Sequence, residues 1–193
     1  MHRELLLAST SPARVALMDA LGLPYRAVAP QVEEDVPSGT SAQQTVALLA
    51  ERKARAVHAR FPRALVIGAD QLAVAGGRVL GKPQTRAEAR EQLSLLVGKS
   101  HDILTGVCVV GEGFFACEVD VAHITFHPVG EQELQRYLDL EEWKGCAGGY
   151  RVEGAGQALF SKLEGDRTGV QGLPMLRLVR LLREAGVELF HPR

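Results

Sequence analysis

The 193-residue chain predicts an α/β fold, and two observations carry that prediction. Apolar runs of strand character recur at Glu4 to Ala8, Ala64 to Ile67, Ile103 to Val110 and Phe114 to Phe126, and segments with helix start and stop residues lie between and beyond them. Hydrophobic content is 46% and charged content 23%, which suits a sizeable core in one domain or two closely joined lobes.

The same composition argues against several partners. Net charge is −1 and no basic tract occurs, so no polymer of nucleic acid is expected. No apolar run approaches the roughly 18 residues of a membrane span. Glu4 and a short apolar run lead directly into a strand, without the features of a signal peptide, and the expected location is cytoplasmic. Cys108, Cys117 and Cys146 form no C-x-x-C pair and are expected to be reduced thiols. His101, His123 and His127 lack zinc-ligand spacing and receive no role.

Taken in order, the strand at Glu4 to Ala8 ends in Ser9-Thr10-Ser11-Pro12, where Ser11 suits an N-cap and Pro12 a first helical residue. The helix runs to Leu21 and stops at Gly22. A strand that ends in hydroxyls and feeds a helix N-terminus is a ready anion site, and an anion there would offset the unfavourable Arg14 in the first turn. Tyr25 to Ala29 reads as a short strand, followed by the acids Glu33, Glu34 and Asp35. Ser41 and Gln44 form a capping box that opens a helix to about Arg60. Lys53 falls on the apolar face of that helix with Val46, Leu49, Ala50 and Val57, while Arg52 and Arg55 lie on other faces. A lysine on such a face either snorkels outward or meets an anion.

In the central stretch, the run from Ala64 to Ile67 reaches Gly68 and then Asp70, a carboxylate that is costly at the end of a buried strand unless it meets a cation or donor. Gly76-Gly77 turns the chain, so Leu72 to Val74 and Arg78 to Leu80 form a hairpin that returns Lys82 towards Asp70. Thr85 to Glu88 opens a helix through Leu96, and Glu131 to Leu138 forms another. The long Phe114 to Phe126 strand changes its apolar face, which a bulge near Ala122 or His123 would explain. A Gly-rich loop spans Gly145 to Tyr150, Tyr150 to Glu153 reads as a strand, and Leu173-Pro174 introduces an apolar helix to about Ala185.

The polar residues in unusual places are therefore Ser11, Arg14, Glu34, Lys53, Asp70 and Lys82. Two acids and three bases near a helix N-terminus suit a polyphosphate with a divalent metal, because magnesium favours one or two carboxylates plus phosphate oxygens and water. Neither a Walker A motif nor G-x-G-x-x-G occurs.

These residues carry a resemblance. Leu7 to Pro12, Gly68-Ala69-Asp70 with Leu80 to Pro83, His101 with Thr105-Gly106, Trp143 with Cys146 to Tyr150, and Gly172-Leu173-Pro174 resemble the Maf family, in order along nearly the whole chain. The resemblance implies one domain over residues 1–193, with a mixed, twisted sheet in two lobes around a central cleft, the inosine-triphosphatase-like fold. It implies a metal-dependent nucleoside triphosphate pyrophosphatase that releases a monophosphate and pyrophosphate, with magnesium, manganese or cobalt as the metal. Asp70 then falls at the catalytic position and, with Glu34, at the metal. Ser11, Arg14, Lys53 and Lys82 fall to the phosphates.

Ala13, Gln71 and Glu153 fall at positions where two branches of the family differ. Gln71 and Glu153 fit the branch similar to 7-methyl-GTP pyrophosphatases, in a house-cleaning role. Ala13, where that branch often has Trp, and Gly149-Tyr150, where it usually has Ser-Phe, depart from it. The alternatives are a dTTP/UTP pyrophosphatase, an inosine- or xanthosine-triphosphate hydrolase, and a nucleotide-binding regulator without catalysis. A homodimer is expected from the resemblance and from the apolar C-terminal helix.

Overall fold

The computed structural model describes residues 3–190. The elements follow in the order β1 (Leu5–Leu7), α1 (Pro12–Leu21), β2 (Arg26–Ala27), α2 (Ala42–Arg60), β3 (Leu65–Ala75), β4 (Arg78–Leu80), α3 (Arg86–Leu96), β5 (Ser100–Gly111), β6 (Phe114–Phe126), α4 (Glu131–Asp139), β7 (Phe160–Glu164), α5 (Arg167–Val170) and α6 (Met175–Glu184). Two short 3-10 turns, Ala147–Gly149 and Ala155–Leu159, lie between α4 and β7.

Among the described residues the strands form a mixed seven-stranded sheet, ordered β2-β1-β3-β5-β6-β7, with β4 also on β3. β1 runs parallel to β2 and β3, whereas β4, β5, β6 and β7 join antiparallel. β3 is long enough to take two short strands on one edge. β1 pairs with Leu65 to Ile67 and β4 with Ala73 to Ala75, so the edge between them has no strand partner. This break separates two lobes. One is packed from β1, α1 and α6 around Leu7, Met18, Ile67, Leu178 and Leu182. The other is packed from α3, α4 and the 143–152 segment around Leu93, Phe126, Leu138, Trp143 and Tyr150.

Helix α2 covers the opposite face of the sheet, over Val66, Cys108 and Val110. Two glycines let it lie on the strands. A Cβ on Gly68 would stand 2.2 Å from the Ala50 carbonyl oxygen, and one on Gly106 would stand 2.3 Å from that of Val46. Both neighbours are helix backbone, so α2 is seated by direct backbone approach.

Several sequence expectations are corrected here. Tyr150 to Glu153 is not a strand; the last strand is β7, Phe160–Glu164. Pairing of β6 with β5 runs unbroken through Ala122 and His123, and the register shift occurs instead where β6 meets β7, between Thr125 and Phe126. The change of apolar face along β6 has another cause. Cys117 packs beneath α2, and Ala122, Ile124 and Phe126 face the core on the other side of the sheet. Cys108 and Cys117 are also not reduced thiols. The β5–β6 hairpin sets them directly opposite each other, with Cα atoms 4.0 Å apart and a disulfide between them, and Cys146 alone is free.

In α6, Leu178, Leu181 and Leu182 are buried within the chain, whereas Leu176 is exposed. Among the described residues no helix is long and apolar enough to cross a membrane.

Candidate active site

The break in the β3 edge brings together the chain's unusual polar residues. Asp70 lies two residues beyond Gly68 on the same face of β3, and Lys53 lies one turn beyond Ala50 on α2. The contact of Gly68 with Ala50 therefore sets Lys53 over Asp70, and Lys53 Nζ donates to Asp70 Oδ1 at 2.6 Å. Both side chains are only 9% exposed. The same ammonium meets Glu34 Oε1 at 2.5 Å, from a loop that approaches over α2. One buried cation thus joins two carboxylates.

The two acids respond in opposite directions. Lys53 holds the Glu34 carboxyl below the usual carboxylate range, helped by Lys82 and Arg14, because Glu34 is largely open to water. Burial pushes the Asp70 carboxyl above that range, against the hydrogen bond from Lys53 and the charge of Arg14.

Arg14 is mostly buried and stands near both acids. Burial lowers its pKa and Asp70 and Glu34 oppose that lowering; an arginine guanidinium stays charged in proteins. Its Nε donates to the Gly172 carbonyl at 2.8 Å and Nη1 to Ser9 Oγ at 3.4 Å. Ser11 occupies the N-cap position of α1 with Pro12 behind it, but its hydroxyl makes no cap bond. Its backbone N–H donates to Ser9 Oγ at 3.2 Å. Ala13 is half-buried in the first turn of α1. Lys82 is exposed beyond the β3–β4 hairpin, and the preceding Gly81 carbonyl accepts from Gly148, which ties the hairpin to the Gly-rich loop.

Two residues of the expected set lie apart from this centre. Successive strand residues point to opposite faces, so Gln71 faces away from Asp70. Its amide donates to the Gly169 carbonyl at 2.7 Å, to the Val170 carbonyl at 3.0 Å and to Thr105 Oγ1 at 3.1 Å. Glu153 is exposed on the turn after Tyr150. Burial raises the Cys146 thiol, Arg151 and Lys82 oppose that rise and Glu153 adds to it, so Glu153 and Lys82 both lie within electrostatic reach of Cys146.

Sequence reasoning passed over the support behind these groups. Thr105 also donates to the Gly169 carbonyl, at 2.8 Å. Asp166 caps α5 through Thr168 and accepts from the Leu176 N–H. The segment that holds Arg14 at Gly172 is thus fixed from β3, β5 and Asp166. An Asp two residues before a Thr was the available sign of that cap. Among the described residues no group of three or more His, Cys, Asp or Glu side chains gathers to hold a metal. The protein's own acidic donors here are the two carboxylates of Glu34 and Asp70.

A model of the Maf-like protein family matches residues 4–185. The 7-methyl-GTP pyrophosphatase of Pseudomonas aeruginosa is 40% identical over 189 residues, covering 96% of this chain and 98% of that protein. The dTTP/UTP pyrophosphatase of Symbiobacterium thermophilum is 40% identical over 190 residues, covering 97% of each. The solved structure of the Staphylococcus aureus Ham1 protein is a more distant likeness, with TM-score 0.46 and 14% identity over 65% of this chain and 73% of that one. The family match spans both lobes and the whole of the site just described, and the chain belongs to the Maf family.

Proposed function

We propose that the protein is a nucleoside triphosphate pyrophosphatase that cleaves the bond between the α- and β-phosphates. The observation that carries this reading is the buried Lys53 between Glu34 and Asp70, with Arg14 beside them. Arg14, Lys53 and Lys82 oppose the negative charge that grows on the phosphates during attack. Ser11 and the N-terminus of α1 offer hydrogen bonds and a favourable dipole to a phosphate oxygen. Asp70 accepts a proton from the attacking water, a role that its burial favours.

The donor set fits a divalent cation. Glu34 and Asp70 lie close together on either side of Lys53 Nζ, and magnesium takes one or two carboxylates plus phosphate oxygens and water. Glu34 and Asp70 would hold it, with magnesium, manganese or cobalt each compatible. Such a cation supplies charge neutralisation and polarisation of the phosphoryl oxygens.

The preferred substrate in this reading is 7-methyl-GTP. Its base carries delocalised positive charge and N–H donors, and the exposed Glu153 carboxylate answers both. A relative of equal identity that acts on dTTP and UTP supports pyrimidine triphosphates as the second reading. Gln71 serves either reading through the Gly169–Gly172 segment rather than by touching a base.

Asp70→Asn tests the catalytic assignment. Turnover falls by about 10²–10⁴ at saturating magnesium if Asp70 is the base, and near-normal turnover removes it from that role. Glu153→Gln tests the base. It lowers activity on 7-methyl-GTP more than on UTP, whereas equal losses on both remove Glu153 from base recognition. The homodimer rests on the family resemblance and on the apolar C-terminal helix, which exposes Leu176, and sedimentation showing only 20.9 kDa particles would remove it.

A further inference from the structure

Glu34 is held in place by unusual means. It lies in a segment without helix or strand between β2 and α2. Among the described residues, none from 29 to 36 takes part in a backbone–backbone hydrogen bond. Ordering such a segment is opposed by backbone entropy at every residue. Gln31 additionally adopts a left-handed conformation, with φ of 53°.

The fixed points come from α2. Arg60 Nη1 donates to the Ala29 carbonyl at 3.0 Å. Arg52 Nη1 donates to the Glu33 carbonyl at 2.9 Å and the Asp35 carbonyl at 2.8 Å, and it approaches Asp35 Oδ1 at 3.3 Å. These acceptors flank Glu34 on either side. Arg52 and Lys53 are neighbours on one turn of α2, so a single turn supplies the clamp on the loop and the counter-ion for its side chain.

We propose that Arg52 is a positioning residue for Glu34, and that it sets the affinity of the site for its divalent cation without touching cation or substrate. The inference rests on the reading of Glu34 as a metal ligand. A guanidinium suits the task because its donors are fixed in one plane and it stays charged, so one side chain bridges two carbonyls. With Arg52 gone, the Glu33–Asp35 backbone loses both anchors, leaving the bond to Lys53 and the more distant Arg60–Ala29 bond to order Glu34.

The test is a titration of Mn2+ followed by electron paramagnetic resonance, in the presence of the non-hydrolysable α,β-methylene-GTP. Wild type, Arg52→Ala, Arg52→Lys and Glu34→Gln are compared, with melting temperature as a control on folding. Arg52→Ala is expected to raise the Mn2+ dissociation constant about 10- to 100-fold, in line with other residues that orient a ligand from outside. Its kcat at saturating Mn2+ stays close to wild type, and Arg52→Lys restores part of the affinity. If Glu34→Gln weakens Mn2+ binding and Arg52→Ala does not, the clamp is refuted and the metal reading stands. If neither weakens it, the metal reading fails and takes the clamp with it. A fall in melting temperature and kcat at an unchanged Mn2+ constant would make Arg52 merely structural and also refute the proposal.

Discussion

Replacing Lys53 with methionine removes the ammonium between Glu34 and Asp70 while keeping most of the stem's volume. The two acids then differ in what they can do. Glu34 is 62% exposed and turns to water, whereas Asp70 is 9% exposed and cannot. An unpaired carboxylate that deeply buried avoids its desolvation penalty by taking a proton. Its ordinary value is 3.8. Holding it neutral at pH 7, about 3.2 units higher, costs about 4 kcal/mol at 1.36 kcal/mol per unit. That figure is a ceiling, because Arg14 also stands near Asp70 and favours its charged form.

The sign follows from proton counting. The folded variant keeps a proton on Asp70 that the unfolded chain has released above pH 3.8, so its stability falls as pH rises. Urea unfolding of wild type and Lys53→Met between pH 4.5 and 7.5 reads this difference directly, and pH effects common to both chains cancel. Burial already raises Asp70 in the wild type, which lessens the difference, so the deficit should be no more than about 1 kcal/mol at pH 4.5 and should grow to no more than about 4 kcal/mol near neutrality. A deficit independent of pH would mean that lost packing, not lost charge, is responsible. No deficit at all would mean that Asp70 is ionised without help from Lys53, and the electrostatic account of the site would fail.

Gly68→Ala should cost about 3 kcal/mol or more by urea unfolding, because the new Cβ meets helix backbone that cannot swing aside; a loss under about 1 kcal/mol would show that α2 shifts freely on the sheet. His101 is buried, and burial pushes its pKa down to about 4 from 6.5, so the folded chain excludes a proton that the unfolded chain binds below pH 6.5. The stability from its neutral form is complete above pH 6.5 and declines by up to about 3 kcal/mol as pH falls to 4. His101→Gln should flatten that decline in unfolding measured across this window, and an unchanged slope would assign the acid sensitivity elsewhere.

The centre of the site was legible in the sequence because its members break local patterns. Lys53 interrupts the apolar face of a capped helix, Asp70 follows an apolar strand run, and Lys82 sits after a Gly-Gly hairpin. The strand period also placed Gln71 opposite Asp70, but adjacency in sequence obscured it. Strand β7 was hidden by the register shift opposite Thr125 and Phe126. Phe160 pairs with Phe126 and Leu163 with Ile124, so residues three apart face one side and the two-residue alternation disappears. The Cys108–Cys117 pair depends on the register of a hairpin, which spacing alone does not give. Arg52 left no trace at all, because its partners are chiefly backbone carbonyls, which every residue carries.

The central claim is cleavage between the α- and β-phosphates, and the identity of the products tests it most directly. Wild-type protein is incubated with magnesium and, separately, with 7-methyl-GTP, dTTP and UTP, and the products are identified by phosphorus NMR. The account predicts a nucleoside monophosphate and pyrophosphate in equal amounts, with no orthophosphate, and release slowed about 10²–10⁴-fold by Asp70→Asn. Nucleoside diphosphate with orthophosphate, or no hydrolysis of any of the three with magnesium, manganese or cobalt, would contradict it.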